Sequence, residues 1–128
     1  MSKPQAKKKS SKTNMRTKTF SVVGVGHRIT MSTRNLIAAK IKAEGALGCV
    51  LFRERNNPHD ENAIKVVLDD DPYNELHIGY LPRIVAAVIA PKWDSGKVEI
   101  TRAILTSLEP REGEGEVRVT FSIRRKTA

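Results

Sequence analysis

The chain has 128 residues, a net charge of +9 and a single cysteine, Cys49. That length suits one ordinary domain. One thiol excludes an internal disulfide framework and a multi-cysteine zinc site, no apolar run approaches the roughly 18 residues of a membrane helix, and a reducing, cytoplasmic setting is expected.

The positive charge is unevenly spread. Residues 1–18 hold seven cations and no acid, which leaves only +2 of the net +9 for everything after them. This stretch has few apolar side chains to offset its ordering entropy, so a disordered basic tail over 1–18 and a folded domain over 19–128 are expected. With no apolar segment behind the lysines, it does not read as a secretory signal. Two readings of the tail stand: an arm that adds salt-dependent affinity for a polyanion, or a solubilising leader.

Thr19–Val25 is β-branched and aromatic and stops at Gly24 and Gly26, which predicts a first strand. A helix is predicted within Thr30–Gly45. Thr33 or Asn35 would cap it, Leu36, Ile37, Ala38 and Ile41 would form its apolar stripe, and Gly45 would end it. Gly48–Arg55 alternates as a strand, with the buried face left open. Strands are also predicted over Ala63–Leu68 and Glu75–Tyr80, joined by the acidic turn Asp69–Asn74. Pro82 and Pro91 bound a short helix whose face would be Ile84, Val85, Val88 and Ile89, since proline halts a helix interior. Two longer strands, Lys97–Leu108 and Glu116–Arg125, flank the hairpin connection EPREGEGE. About six strands and two short helices predict a mainly β fold, a small OB-like or SH3-like barrel.

Enzyme chemistry finds little support. The sequence contains no HExxH, GxSxG, Walker loop or paired-cysteine motif. His59 beside Asp60 is too little for a metal site, which needs ligands from separate elements. VGVGHR (Val23–Arg28) has two of the glycines of a dinucleotide fingerprint but lacks the third and the βαβ context. No cofactor, metal or catalytic residue is therefore expected.

The densest polar stretch is RERNNPHDENAIKV, Arg53–Val66. Asn56, Asn57, Asp60 and Asn62 are turn builders whose side chains bond nearby backbone. The same loop also offers an acceptor (Asp60), an amide (Asn57) and a flat ring (His59), a set that suits a nucleotide base and sugar. Both readings remain open on the residues alone.

Taken with HIGYLPRIVAAVIAP (His77–Pro91), the loop resembles the two-part signature of the HIRAN domain family, and the likeness extends from about Phe20 to Arg124. The resemblance implies an OB-like barrel that binds single-stranded DNA, captures a free 3′ end and is not itself an enzyme. By position, it implies that Asp60 accepts from the terminal 3′-hydroxyl and that Asn57 helps hold the terminal nucleotide. His59, where the family usually has tyrosine, would line the base pocket. Tyr80 and Arg83 would contact the backbone, Arg83 at a phosphate. Lys65, pointing outward in its strand, either adds charge or is an ordinary solvated lysine.

The sequence departs from the family on its first strand, where Ser21, Val22 and Val23 replace aromatic and basic side chains. Only Phe20 is aromatic there, with a core role the stronger reading. One stack on a base is worth about 1–3 kcal/mol, so weaker end capture is expected. Trp93 is expected to cover the core edge, whereas Tyr73 lies in an acidic turn that repels phosphate. The partners implied are single-stranded DNA or its 3′ ends, without a membrane. A protein–protein adaptor for a separately encoded DNA-processing enzyme, and an RNA- or ribosome-associated basic protein, are the alternatives.

Overall fold

The computed structural model describes residues 15–25, 28–108 and 117–126. Most of the expected tail (1–14), His27 and the connection 109–116 lie outside them. The fold is mainly β. Its strands are β1 (Met15–Ser21), β2 (Leu47–Arg53), β3 (Ile64–Leu68), β4 (His77–Tyr80), β5 (Val98–Leu108) and β6 (Val117–Arg125). Helix α1 (Met31–Glu44) lies between β1 and β2, and helix α2 (Arg83–Asp94) lies between β4 and β5. No helix among the described residues is long and apolar enough to cross a membrane.

The strands form one antiparallel sheet in the order β1-β6-β5-β2-β3-β4. It curls because the chain leaving β1 changes partner. Val22 N–H still donates to Val117 of β6, but the next residue, Val23, pairs with Tyr80 of β4 through reciprocal bonds of 2.8 and 3.0 Å. Among the described residues a single residue pair thus joins the two ends of the sheet and gives the barrel its seam. Gly79 sits beneath that crossing, where even a methyl group would collide with the Val23 carbonyl.

Alternation decides what faces inward. Leu47, Cys49 and Leu51 of β2, Ile64, Val66 and Leu68 of β3, and Val117, Val119 and Phe121 of β6 are buried. This settles the face left open on β2: Phe52 points outward and is 47% exposed. Phe20 takes the core role, packing on Phe121 with ring centroids 5.5 Å apart. Trp93 is half-buried against the core, as expected for a side chain covering its edge.

Several boundaries differ from the sequence reading, each for a local reason. β1 begins at Met15, four residues before Thr19, and stops at Ser21 rather than Val25. Its polar first half is held by the ladder to β6 and by the hydroxyl pairs Thr17–Ser122 and Thr19–Thr120. The helix cap is Thr30, whose hydroxyl accepts from the Thr33 N–H at 3.2 Å, rather than Thr33 or Asn35. Gly45 does end α1, at φ 92°, where its N–H reaches the Ile41 carbonyl. Ile37 and Ile41 are buried as expected, whereas Leu36 is exposed. β4 starts at His77 because Glu75 adopts φ 67° and breaks the extended run.

The second helix departs most. Pro91 does not end it: α2 continues to Asp94 with Pro91 inside its last turn. Its buried residues are Ala86, Ile89 and Ala90, while Ile84 and Val88 are 79% and 59% exposed. Small alanines let the helix backbone lie close to the barrel, and the larger chains are turned out.

Candidate nucleic-acid interface

The loop from Glu54 to Ala63 is built by its own side chains. The Asn57 Oδ1 accepts from the backbone N–H groups of His59 (2.8 Å) and Asp60 (3.0 Å), which winds the tight turn. Its Nδ2 donates to Glu54 Oε1 at 2.8 Å. Asp60 Oδ1 accepts from the Asn62 N–H at 3.0 Å, and the Asp60 carbonyl accepts from Ala63. Asn57 is therefore an internal strut, engaged at both polar ends.

Arg53 fixes this loop to the barrel. Its guanidinium donates to the carbonyls of Ala63 (2.8 Å) and Glu61 (3.1 Å) and makes a two-pronged pair with Asp94 at 2.9 and 2.7 Å. Arg55 reaches the same carboxylate at 2.9 Å. The hydrogen bonds from Arg53, then those from Arg55, hold Asp94 well below the usual carboxylate range despite partial burial. One cation thus ties both the far end of the loop and the C-terminal turn of α2 to the end of β2.

Two adjoining depressions open beside the loop, one of about 590 Å³. They share Asn56, Asn57, Pro58, His59, Asp60 and Arg83 in their walls. Asp60 stands between them with its carboxylate partly accessible. Its second oxygen, Oδ2, faces Arg83 Nε at 3.8 Å, too long for a hydrogen bond. Arg83, at the start of α2, donates through Nη2 to the His59 carbonyl at 2.6 Å and remains largely exposed. His59 itself is exposed on the rim. Asp60, His59 and Arg83 are thus brought to one rim.

Tyr80 forms the opposite wall. Its hydroxyl donates to Glu54 Oε1 at 2.7 Å, and the Arg28 guanidinium lies 5.6 Å from its ring centroid. His77 meets the same ring edge-on at 4.9 Å. The Tyr80 hydroxyl and the Asn57 amide hold the Glu54 carboxyl below its ordinary range. Burial, followed by the Glu54 hydrogen bond, pushes the Tyr80 phenol up. Burial, followed by nearby Arg28, lowers the His77 imidazole below its ordinary value. Lys65 stands 3.8 Å from Glu54 Oε2 and 6.0 Å from the Phe52 ring centroid.

Glu54, Arg28 and Phe52 join this surface without a clear signal in the sequence. Glu54 lies between two arginines and reads as ordinary strand-end charge. Arg28 follows a turn with no period to place it. Phe52 was hidden by the ambiguous face of its strand. Among the described residues, no group of three or more His, Cys, Asp or Glu side chains is placed to hold a metal ion.

Comparison with known proteins places this geometry in a wider group. A family model described as the HIRAN domain matches residues 19–124. The crystal structure of the HIRAN domain of human HLTF is similar, with a TM-score of 0.57 at 18% identity, covering 86% of this chain and 76% of that one. The NMR structure of the HLTF HIRAN domain in its DNA-bound conformation gives a TM-score of 0.53 at 19% identity, covering 86% and 75%. No curated protein sequence matches the chain.

Proposed function

Since the chain belongs to the HIRAN domain family, we propose that it is a non-enzymatic nucleic-acid binding module, one that grips single-stranded DNA at a free 3′-hydroxyl end. The observation that carries this reading is the split use of the Asp60 carboxylate. One oxygen is consumed by its own turn, whereas the other, among the described residues, has no hydrogen bond and meets Arg83 Nε at 3.8 Å on a residue that lines both depressions. A sugar hydroxyl entering there donates to Oδ2, and Arg83 lies beside it for the neighbouring phosphate. His59 and Tyr80 supply flat surfaces for the terminal base. Asn57 acts by shaping the turn that aims Asp60. A similar solved domain has been captured in a DNA-bound conformation, which supports the class of ligand.

The test is a pair of otherwise identical single strands ending in a 3′-hydroxyl or a 3′-phosphate. The phosphate strand is expected to bind about tenfold more weakly, because Asp60 loses a donor and meets added negative charge. Asp60→Asn keeps an oxygen for the Asn62 N–H and is expected to narrow that gap. Equal affinity for both strands in the wild-type protein refutes end recognition and leaves only general strand binding.

A second reading, an adaptor that docks on a DNA-processing enzyme, is favoured by the exposed Ile84 and Val88 one helical turn apart on α2. It gains ground if Asp60→Ala and Arg83→Ala leave DNA affinity untouched while Ile84→Asp abolishes capture of one protein partner.

A further inference from the structure

Phe52 is an aromatic ring left in solvent on a strand whose leucines, Leu47 and Leu51, are buried. Scattered surface apolar groups need no explanation, but Phe52 does not stand alone. It is the register partner of Lys65, Lys65 is the partner of Tyr80, and Tyr80 is the partner of Val23. Directly opposed residues of antiparallel strands share one face. The outer surface therefore carries a row Phe52–Lys65–Tyr80–Val23 across four chain segments. Both rings have a cation beside them: Lys65 at 6.0 Å from the Phe52 centroid and Arg28 at 5.6 Å from that of Tyr80. Val23, 44% exposed, lines the depression beside the Asp60 loop together with Tyr80 and Arg28.

The row thus begins inside the depression and leads away from it. Phe52 lies two strands from Tyr80, about 10 Å at ordinary strand spacing. That separation suits one or two nucleotides of an extended single strand. Alternating aromatic and cationic side chains are the combination that sequence-tolerant strand binders use to stack bases and follow phosphates. Besides the Phe52 ring, the Lys65 ammonium meets Glu54 in an ion pair at 3.8 Å, a weak restraint at a partly exposed site.

We propose that Phe52 and Lys65 form a second nucleotide subsite: the base two nucleotides upstream of the 3′-terminal one, beyond the reach of a dinucleotide, stacks on Phe52, and Lys65 contacts a phosphate between them. This rests on the single-stranded DNA reading above. It supplies, from the second strand, aromatic surface that the first strand lacks at Ser21, Val22 and Val23.

The experiment measures 5′-labelled oligothymidylate of about ten nucleotides by fluorescence anisotropy, with unlabelled thymidine dinucleotide as competitor. Phe52→Ala is expected to weaken the longer strand about tenfold and to leave competition by the dinucleotide unchanged. Phe52→Trp is expected to keep tight binding and to show quenched indole emission in the complex. An abasic residue two nucleotides upstream of the 3′-terminal one is expected to weaken the wild type but add little to Phe52→Ala.

The subsite is refuted if Phe52→Ala binds the longer strand as the wild type does, or if it loses the dinucleotide equally. A wild type that binds and prefers a 3′-hydroxyl beside a neutral Phe52→Ala removes the subsite alone. A wild type that binds no single strand removes the parent reading, and the subsite with it.

Discussion

Gly79→Ala is expected to destabilise the domain by about 2–3 kcal/mol, a large share of the stability of a small fold. The added Cβ would lie 2.5 Å from the Val23 carbonyl oxygen and 2.7 Å from Val22 Cγ1. Neither neighbour can retreat freely. The Val23 oxygen accepts the Tyr80 N–H, and Val22 is packed into the core at 6% exposure. Relief therefore requires the Val23–Tyr80 pair that joins the sheet ends to part. Urea unfolding of the variant should show a lower midpoint with little change in slope. Gly48→Ala is the built-in comparison, since its Cβ would meet the Asp69 carbonyl at a milder 3.3 Å. Equal midpoints for Gly79→Ala and the wild type would show that the seam tolerates crowding.

Arg53→Met is expected to cost about 3 kcal/mol and to lower affinity for single-stranded DNA as well. Methionine keeps much of the apolar stem, so the loss isolates the guanidinium. That group is 9% exposed and serves the Ala63 and Glu61 carbonyls and the Asp94 carboxylate together. Without it Asp94 keeps only the exposed Arg55, and the loop that aims Asp60 loses its anchor. Denaturation measures the first effect. The second is measured by anisotropy at a temperature where the variant remains folded. A variant with wild-type DNA affinity would show that Asn57 alone suffices to shape the turn.

The same cluster makes a prediction about acid. Asp94 titrates lower in the folded protein than in the unfolded chain, mainly through its hydrogen bonds to Arg53. A depressed carboxylate contributes stability that is complete above the unfolded value of about 3.9 and is lost as pH falls toward the folded one. The stability gap between the wild type and Asp94→Asn should be full near neutrality and shrink below about pH 4. A gap that stays constant from pH 7 to acid would mean that the charge of Asp94 contributes nothing.

The parts of the fold that were legible in the sequence are those where one local preference decides. Gly45 ends α1 because φ 92° suits glycine, and Ile37 and Ile41 share a buried face. The loop could be read as a turn because asparagine and aspartate bond their own backbone, and the IGYLPR motif supplied Tyr80 and Arg83. What escaped was decided by distant partners. Nothing in Met15–Lys18 marks a strand; the ladder to β6 makes it one. Hydrophobicity favoured Ile84 and Val88 for the core of α2, but the close approach of helix and barrel selected Ala86 and Ala90. Glu54 became part of the site only when folding carried Tyr80 across to it, 26 positions away in the chain. For Phe52, a one-residue shift of register separates core from surface, and its neighbours alone do not reveal which was chosen.

Closing a barrel through one residue pair also has a kinetic meaning. Most strand contacts are backed by others in the same ladder, so local fluctuations heal quickly. Among the described residues Val23 and Tyr80 have no such redundancy on the β1 side, and their amide protons should therefore exchange with solvent sooner than those of β5 and β6. Tyr80 is also a wall of the depression, so the transient breathing of this joint and the shape of the ligand cavity are one motion. Anything lodged against the Tyr80 ring would lengthen the lifetime of the shut form.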